Sequence, residues 1–265
     1  MPMHTGTCSA NDINIHYLRT GGDKPSVVLL HGLTMNGACW TDLALALEKD
    51  YDVVMPDARG HGKTSAPHER YSYDILATDV LILIETLRLN NPVLVGHSMG
   101  GMTAAVVASQ ATIQLRGLVL ADPTFLTPKR QQEVYDSDVL TQHVKIIGRS
   151  KEDFLAELQM RNNHRSYELL ELIAQARFQT SSHAFKILKP PNSDYTKLIT
   201  TIDIPTLLII GDNGAIITPA LASELARSNK RIRVEQIKDA GHGIPYDQPE
   251  HFASVVKDFL SLINA

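Results

Sequence analysis

A chain of 265 residues with 43% hydrophobic side chains can bury a substantial core and sits near the upper size for one α/β domain. Its 29 acidic residues outnumber 25 scattered basic ones, for a net charge of -4, which argues against nucleic acid as a partner. Cys8 and Cys39 are too few for a disulfide framework and lack metal-ligand spacing. No leader pattern or long apolar span appears, so the expectation is a soluble, cytoplasmic protein with no metal, no cofactor and no membrane contact.

In chain order, "INIHYLRT" (13–20) alternates like an antiparallel edge strand. "SVVLL" (26–30), "YDVVMP" (51–56), "PVLVG" (92–96), "GLVLA" (117–121), "PTLLIIG" (205–211) and "RIRVEQI" (231–237) are also strand-like. Most of these are continuously apolar, as strands covered on both faces are. Helical patterns follow Tyr73 (73–89) and Ser98 (99–111), and Phe252, Val255, Val256, Phe259 and Ile263 recur at helical spacing near the C-terminus. Strand and helix alternate, which predicts a doubly wound, mostly parallel sheet. From about Leu126 to Thr201 the rhythm breaks. Helical stretches start at Ser150, with Asp153 completing a capping box, and at Ser166, and Pro190 and Pro191 end the segment. This is read as a helical insertion at 126–201 in a core formed by 1–125 and 202–265.

The strongest chemical signal is "VGHSMGG" (95–101). Gly96, Ser98 and Gly100 give Gly-x-Ser-x-Gly between an apolar strand and an Ala-rich helix, the context in which a serine is lifted off a sheet as a nucleophile. Together with "LLHGLTMNGACW" (29–40), "DARGHGKTS" (57–65) and "AGHGIPYDQPEHF" (240–252), in that order, the chain resembles the α/β-hydrolase superfamily over nearly its whole length. The resemblance implies an eight-stranded sheet with a helical cap inserted between the sixth and seventh strands. It also implies Ser98 as nucleophile, His242 as general base, and the backbone N–H groups of Leu33 and Met99 as an oxyanion hole.

The acid has two candidates. Relatives commonly place it three residues beyond the glycine ending the seventh strand. Here that position is Gly214, so Asp212 would need a shifted loop. Asp122 closes "LVLAD" ahead of Pro123, which disfavours helical geometry and predicts an extended residue at the strand's carboxyl end. Some lipases and lactonases of the superfamily place their acid there, and Asp122 is preferred. His31, His61 and His97 are read as structural, Asp57 and Arg59 as partners in a network, and Cys39 as a small buried residue; Trp40 is open between core and pocket. Phe154, Leu158, Met160, Leu169 and Phe178 are read as the insertion's packing stripe.

The function expected is hydrolysis of a carboxylic ester or lactone of a small to medium apolar substrate through an acyl-enzyme on Ser98. Carbon–carbon bond hydrolysis, perhydrolysis and ligand sensing without turnover are the alternatives. An aspartate in place of Ser98, as in haloalkane dehalogenases and epoxide hydrolases, is absent.

Overall fold

The computed structural model describes residues 3–110 and 112–264. Ala111, at the end of one predicted helix, and the outermost residues of the expected core lie outside the described residues. The strands are β1 (His4–Ala10), β2 (Ile13–Arg19), β3 (Ser26–Leu30), β4 (Asp52–Pro56), β5 (Val93–His97), β6 (Gly117–Ala121), β7 (Thr206–Gly211) and β8 (Ile232–Ile237). They form one sheet in the order β1-β2-β4-β3-β5-β6-β7-β8. β1 and β2 pair antiparallel with each other, β2 pairs antiparallel with β4, and all other pairings are parallel. The sheet is thus mostly parallel and eight-stranded. β1 was not read from the sequence: "HTGTCSA" is small and polar, and it becomes a strand by pairing along its full length with β2.

The helices are α1 (Thr41–Leu47), α2 (Tyr73–Thr86), α3 (Met99–Ser109), α4 (Pro128–Tyr135), α5 (Val139–Ile147), α6 (Lys151–Arg161), α7 (Tyr167–Phe178), α8 (Tyr195–Thr201), α9 (Pro219–Ser228), α10 (Ile244–Asp247) and α11 (Pro249–Asn264). Every residue of β3 to β7 is buried, because helices cover both faces. Successive residues of a strand point to opposite faces, so Val28, Leu94, Leu118 and Leu208 pack with α2 and α3. Their neighbours Val27, Val93, Val119 and Leu207 pack with α1 and α11. α3 is buried almost all round, as expected of an apolar helix at the centre of a fold.

Between β6 and β7 the chain forms α4 to α7, a 3-10 helix (Ser182–Leu188) and α8. Ser150 and Ser166 cap α6 and α7 by accepting from the N–H groups of Asp153 and Leu169. Phe154 and Leu169 are buried between these helices, with Leu158 and Phe178 packed against them, while Met160 is 84% exposed. This cluster reaches the sheet domain through Cys39 and Tyr246. α8 belongs elsewhere: its Ile199 lies in the main core, beside α3 and α9.

Candidate active site

Three chain segments converge at the carboxyl ends of the central strands. β5 leads into Ser98, whose φ of 54° and ψ of -117° turn the chain sharply into α3. A serine at positive φ is strained, and the surroundings hold it there. Ser98 N–H donates to Ala121 O, and Ser98 O accepts from Met102 and Thr124 N–H. Neighbouring glycines are required by close approach: a Cβ on Gly100 would lie 2.1 Å from Leu30 O, and one on Gly96 would lie 2.3 Å from Gly100 O.

β6 ends beside β5 and delivers Asp122. The residue is not extended as Pro123 suggested; its φ is 40°, in the left-handed region. Its N–H donates to Ile209 O of β7. The fully buried carboxylate accepts three hydrogen bonds, from Ile217 N–H at Oδ1 (2.8 Å) and from Ile216 N–H (2.9 Å) and His242 Nδ1 (2.6 Å) at Oδ2. These contacts over-determine a backbone that its sequence neighbour disfavours.

His242 comes from the loop after β8, and its Nε2 lies 2.9 Å from Ser98 Oγ. The Nδ1–H donated to Asp122 leaves Nε2 with a free lone pair toward the serine hydroxyl. The structure therefore brings Ser98, His242 and Asp122 into one hydrogen-bonded chain. Asp212 stands outside it. Exposed to solvent, its carboxylate accepts from Ala240 N–H at 3.1 Å, while its own N–H donates to Ala240 O. Backbone hydrogen bonds, first from Asp239 and then from Ala240 on the loop after β8, hold its carboxyl below the usual aspartate value. Gly214, where relatives carry the acid, has φ 70° and open space around it.

The histidine loop is held from two sides that sequence reading missed. His97 Nε2 donates to His242 O at 2.7 Å, so the structural role read for this histidine is to position the loop. Burial, with His242 nearby, pushes His97 down to about 3, which keeps it neutral. From the insertion, Arg165 donates through Nε and Nη2 to Asp247 Oδ1, and Asp247 Oδ2 accepts from Gly241 N–H. Burial alone would raise the Asp247 carboxyl, but the Arg165 bonds outweigh it and hold it low. Neither pairing leaves a local motif, since the partners are 145 and 82 residues apart.

Leu33 and Met99 line the cavity onto which Ser98 opens. Met99 is the first residue of α3, where helix geometry leaves the N–H without an internal partner and the macrodipole favours negative charge. The Leu33 loop is pinned by two histidines. His31 donates from Nδ1 to Gly32 O and accepts Ala58 N–H at Nε2. His61 donates from Nδ1 to Arg59 O and accepts Thr34 N–H at Nε2. Each needs a neutral imidazole, and burial lowers both, His61 to about 3.

Asp57 supports the same loop by accepting from Gly37 N–H, Lys63 N–H and His16 Nδ1. Arg59 forms a buried two-pronged pair with Asp79. Cys39 is buried, and burial pushes its thiol up to about 12, which disfavours the nucleophilic thiolate. Trp40 is core, stacked against Phe252. Among the described residues, no group of three or more His, Cys, Asp or Glu is placed to hold a metal ion, and no helix is long and apolar enough to cross a membrane.

The cavity over Ser98 has a volume of about 630 Å³. Its floor is Leu33, Ser98, Met99 and His242, and α4, α5, α7 and the 182–195 segment supply much of its wall. None of Phe154, Leu158, Met160, Leu169 or Phe178 reaches it. Those side chains pack α6 and α7 together or face solvent, whereas Arg130, Gln131, Val134, Val139 and Arg177, which line the cavity, come from α4, α5 and the last turn of α7.

The chain is similar to known proteins over most of its length. The chain is 30% identical over 266 residues to N-formylmaleamate deformylase of Pseudomonas putida, covering 96% of each. The structure of an enol-lactonase from Burkholderia xenovorans superposes with a TM-score of 0.80 at 25% identity, covering 97% of this chain and 100% of the other. E-2-(acetamidomethylene)succinate hydrolase shares the fold at a TM-score of 0.83 and 22% identity, covering 98% and 100%. The model of the alpha/beta hydrolase family matches residues 27–255, and the chain belongs to that family and is a hydrolase.

Proposed function

We propose that the protein is a serine hydrolase that cleaves a carboxylic ester or lactone through an acyl-enzyme on Ser98. The observation that carries this reading is the chain Asp122 Oδ2, His242 Nδ1, His242 Nε2, Ser98 Oγ, with spans of 2.6 and 2.9 Å, opening onto the cavity. Ser98 Oγ attacks the carbonyl carbon while its proton passes to His242 Nε2. The carbonyl oxygen becomes an oxyanion that accepts from the N–H groups of Leu33 and Met99, each such donor contributing on the order of 10²- to 10³-fold in rate. Asp122 holds the imidazole in the productive tautomer and stabilises the imidazolium. His242 then gives the proton to the leaving alkoxide, and the carbonyl re-forms as the acyl-enzyme. Water enters and attacks the acyl carbon as it loses a proton to His242; the bond from that carbon to Ser98 Oγ then breaks as His242 returns the proton to Oγ, releasing the acid and free Ser98. The insertion 126–201 serves as the cap that closes the acyl pocket, with its last helix, α8, returning to the core.

A second reading is favoured by the deformylase relative: the scissile bond is an amide of a small acyl group. The same residues suffice, with His242 protonating the leaving nitrogen. Initial rates on a p-nitrophenyl ester series, a lactone panel and a matched formamide separate the two. The founding test is labelling by a fluorophosphonate with mapping of the modified peptide. Label is expected on Ser98 and lost in Ser98→Ala; folded protein that takes no label at Ser98 refutes both readings.

A further inference from the structure

Arg177 sits in the last turn of α7 and lines the same cavity as Ser98 and His242. Its Nε is buried and has no hydrogen-bond partner. Among the described residues no carboxylate lies within ion-pair distance of its guanidinium. The residue is half-buried, and a charged group drawn partly out of water is ordinarily paired, because an uncompensated charge away from water is costly. Here burial pulls the guanidinium below its usual value with no acidic neighbour to raise it again.

The surroundings do not supply the missing partner. The partial negative charge at the end of α7 offsets some of the cost, yet no carbonyl there accepts from Nε. His143, whose proton affinity Arg177 lowers, is fully buried and pushed down to about 4, mainly by burial. It is therefore neutral, and its Nε2 donates to Thr180 O. The cavity wall holds two arginines and no aspartate or glutamate, although the chain as a whole has more acidic than basic residues. Of the two, Arg130 is paired with Glu133 at the exposed rim. Arg177 remains unpaired in the wall.

We propose that Arg177 anchors a carboxylate carried by the substrate at a distance from the scissile carbonyl, so that the preferred substrates are acidic esters or lactones. This rests on the acyl-enzyme reading and narrows its substrate class. The apolar wall, with Phe185, Ile187 and Leu221, takes the carbon chain between the reacting carbonyl and the acid. The planar guanidinium fork suits a carboxylate, and the bond is charge-assisted in a partly desolvated site.

The test uses near-isosteric pairs: the mono-p-nitrophenyl esters of succinate, glutarate and adipate against p-nitrophenyl butyrate, valerate and hexanoate. For at least one pair the wild-type kcat/KM is expected to favour the acid by more than about tenfold, and Arg177→Met to lower that ratio by about 100-fold. Arg177→Lys, which keeps the charge and loses the fork, should lower it by about tenfold and replaces the methionine variant if that one does not fold. A ratio below one in all three pairs, or a ratio that Arg177→Met leaves unchanged because both rates fall together, overturns the proposal.

A binding measurement separates this from the acyl-enzyme reading. Titration calorimetry of Ser98→Ala with succinate, glutarate and adipate should show binding that weakens at least tenfold in Ser98→Ala/Arg177→Met. That result stands even where no ester is turned over. Equal binding by the two proteins, or none by either, removes Arg177 as an anion site.

Discussion

Replacing Asp122 by Asn changes one atom type and tests the acid directly. The carboxylate accepts three hydrogen bonds and donates none, whereas a carboxamide has one oxygen and one NH2. With the oxygen toward Ile217, the NH2 faces Ile216 N–H and His242 Nδ1. Two donors then oppose each other, and the imidazole relieves this by moving its proton to Nε2, where it can no longer accept from Ser98. With the amide reversed, His242 keeps its tautomer, but Ile217 N–H is left buried and unpaired, at about 1 to 3 kcal/mol, and no charge stabilises the imidazolium.

Either orientation removes the productive arrangement. The expected loss in kcat is about 10³- to 10⁴-fold, or roughly 4 to 5.5 kcal/mol of transition-state stabilisation. Asp212→Asn should cost less than about tenfold, because Asp212 accepts from the backbone N–H of Ala240, which the carboxamide oxygen of asparagine can replace, and makes no bond to the His242 ring. The assay is steady-state hydrolysis of p-nitrophenyl butyrate, with circular dichroism and thermal melting to show that both variants are folded. A larger loss for Asp212→Asn, or less than about tenfold for Asp122→Asn, would refute the assignment.

Two further outcomes follow from packing and burial. Gly100→Ala places a methyl group 2.1 Å from a backbone oxygen of the sheet. It should destabilise by more than about 3 kcal/mol, and a urea melt within 1 kcal/mol of wild type would contradict the close approach. His61 and His97 are both held neutral, at about 3, while an unfolded chain binds protons on them below about 6.5. The unfolded state therefore gains protons as pH falls from 6.5 towards 3, and stability declines through that window. Linkage gives about 1 kcal/mol for each between pH 6.5 and 5.5, and this part of the decline should disappear from denaturant-derived unfolding energies of a His61→Gln/His97→Gln protein.

The sequence by itself determined the parallel core and the sharp strand-to-helix turn at Ser98, because both are written in contiguous residues. Continuously apolar runs mark strands covered on two faces, and the Gly96, Ser98 and Gly100 spacing marks a turn where backbone leaves no room for Cβ atoms. It could also raise Asp122, since a strand-terminal carboxylate before proline is a local feature. Local features did not give its backbone, however: φ is 40° because Ile209, Ile216, Ile217 and His242 hold it, and three of those four come from more than 90 residues away in sequence. β1 became a strand only through β2, His97 became a support only because the β8 loop returns over it, and Asp247 meets Arg165 only because the insertion folds back. The cavity followed the same logic. Helical spacing identified the packing face of α6 and α7, but hydrophobicity cannot mark an unpaired arginine in a wall. Which side chains face Ser98 is set by how α4, α5, α7 and the 182–195 segment dock over the sheet, a matter of tertiary contact rather than of local pattern.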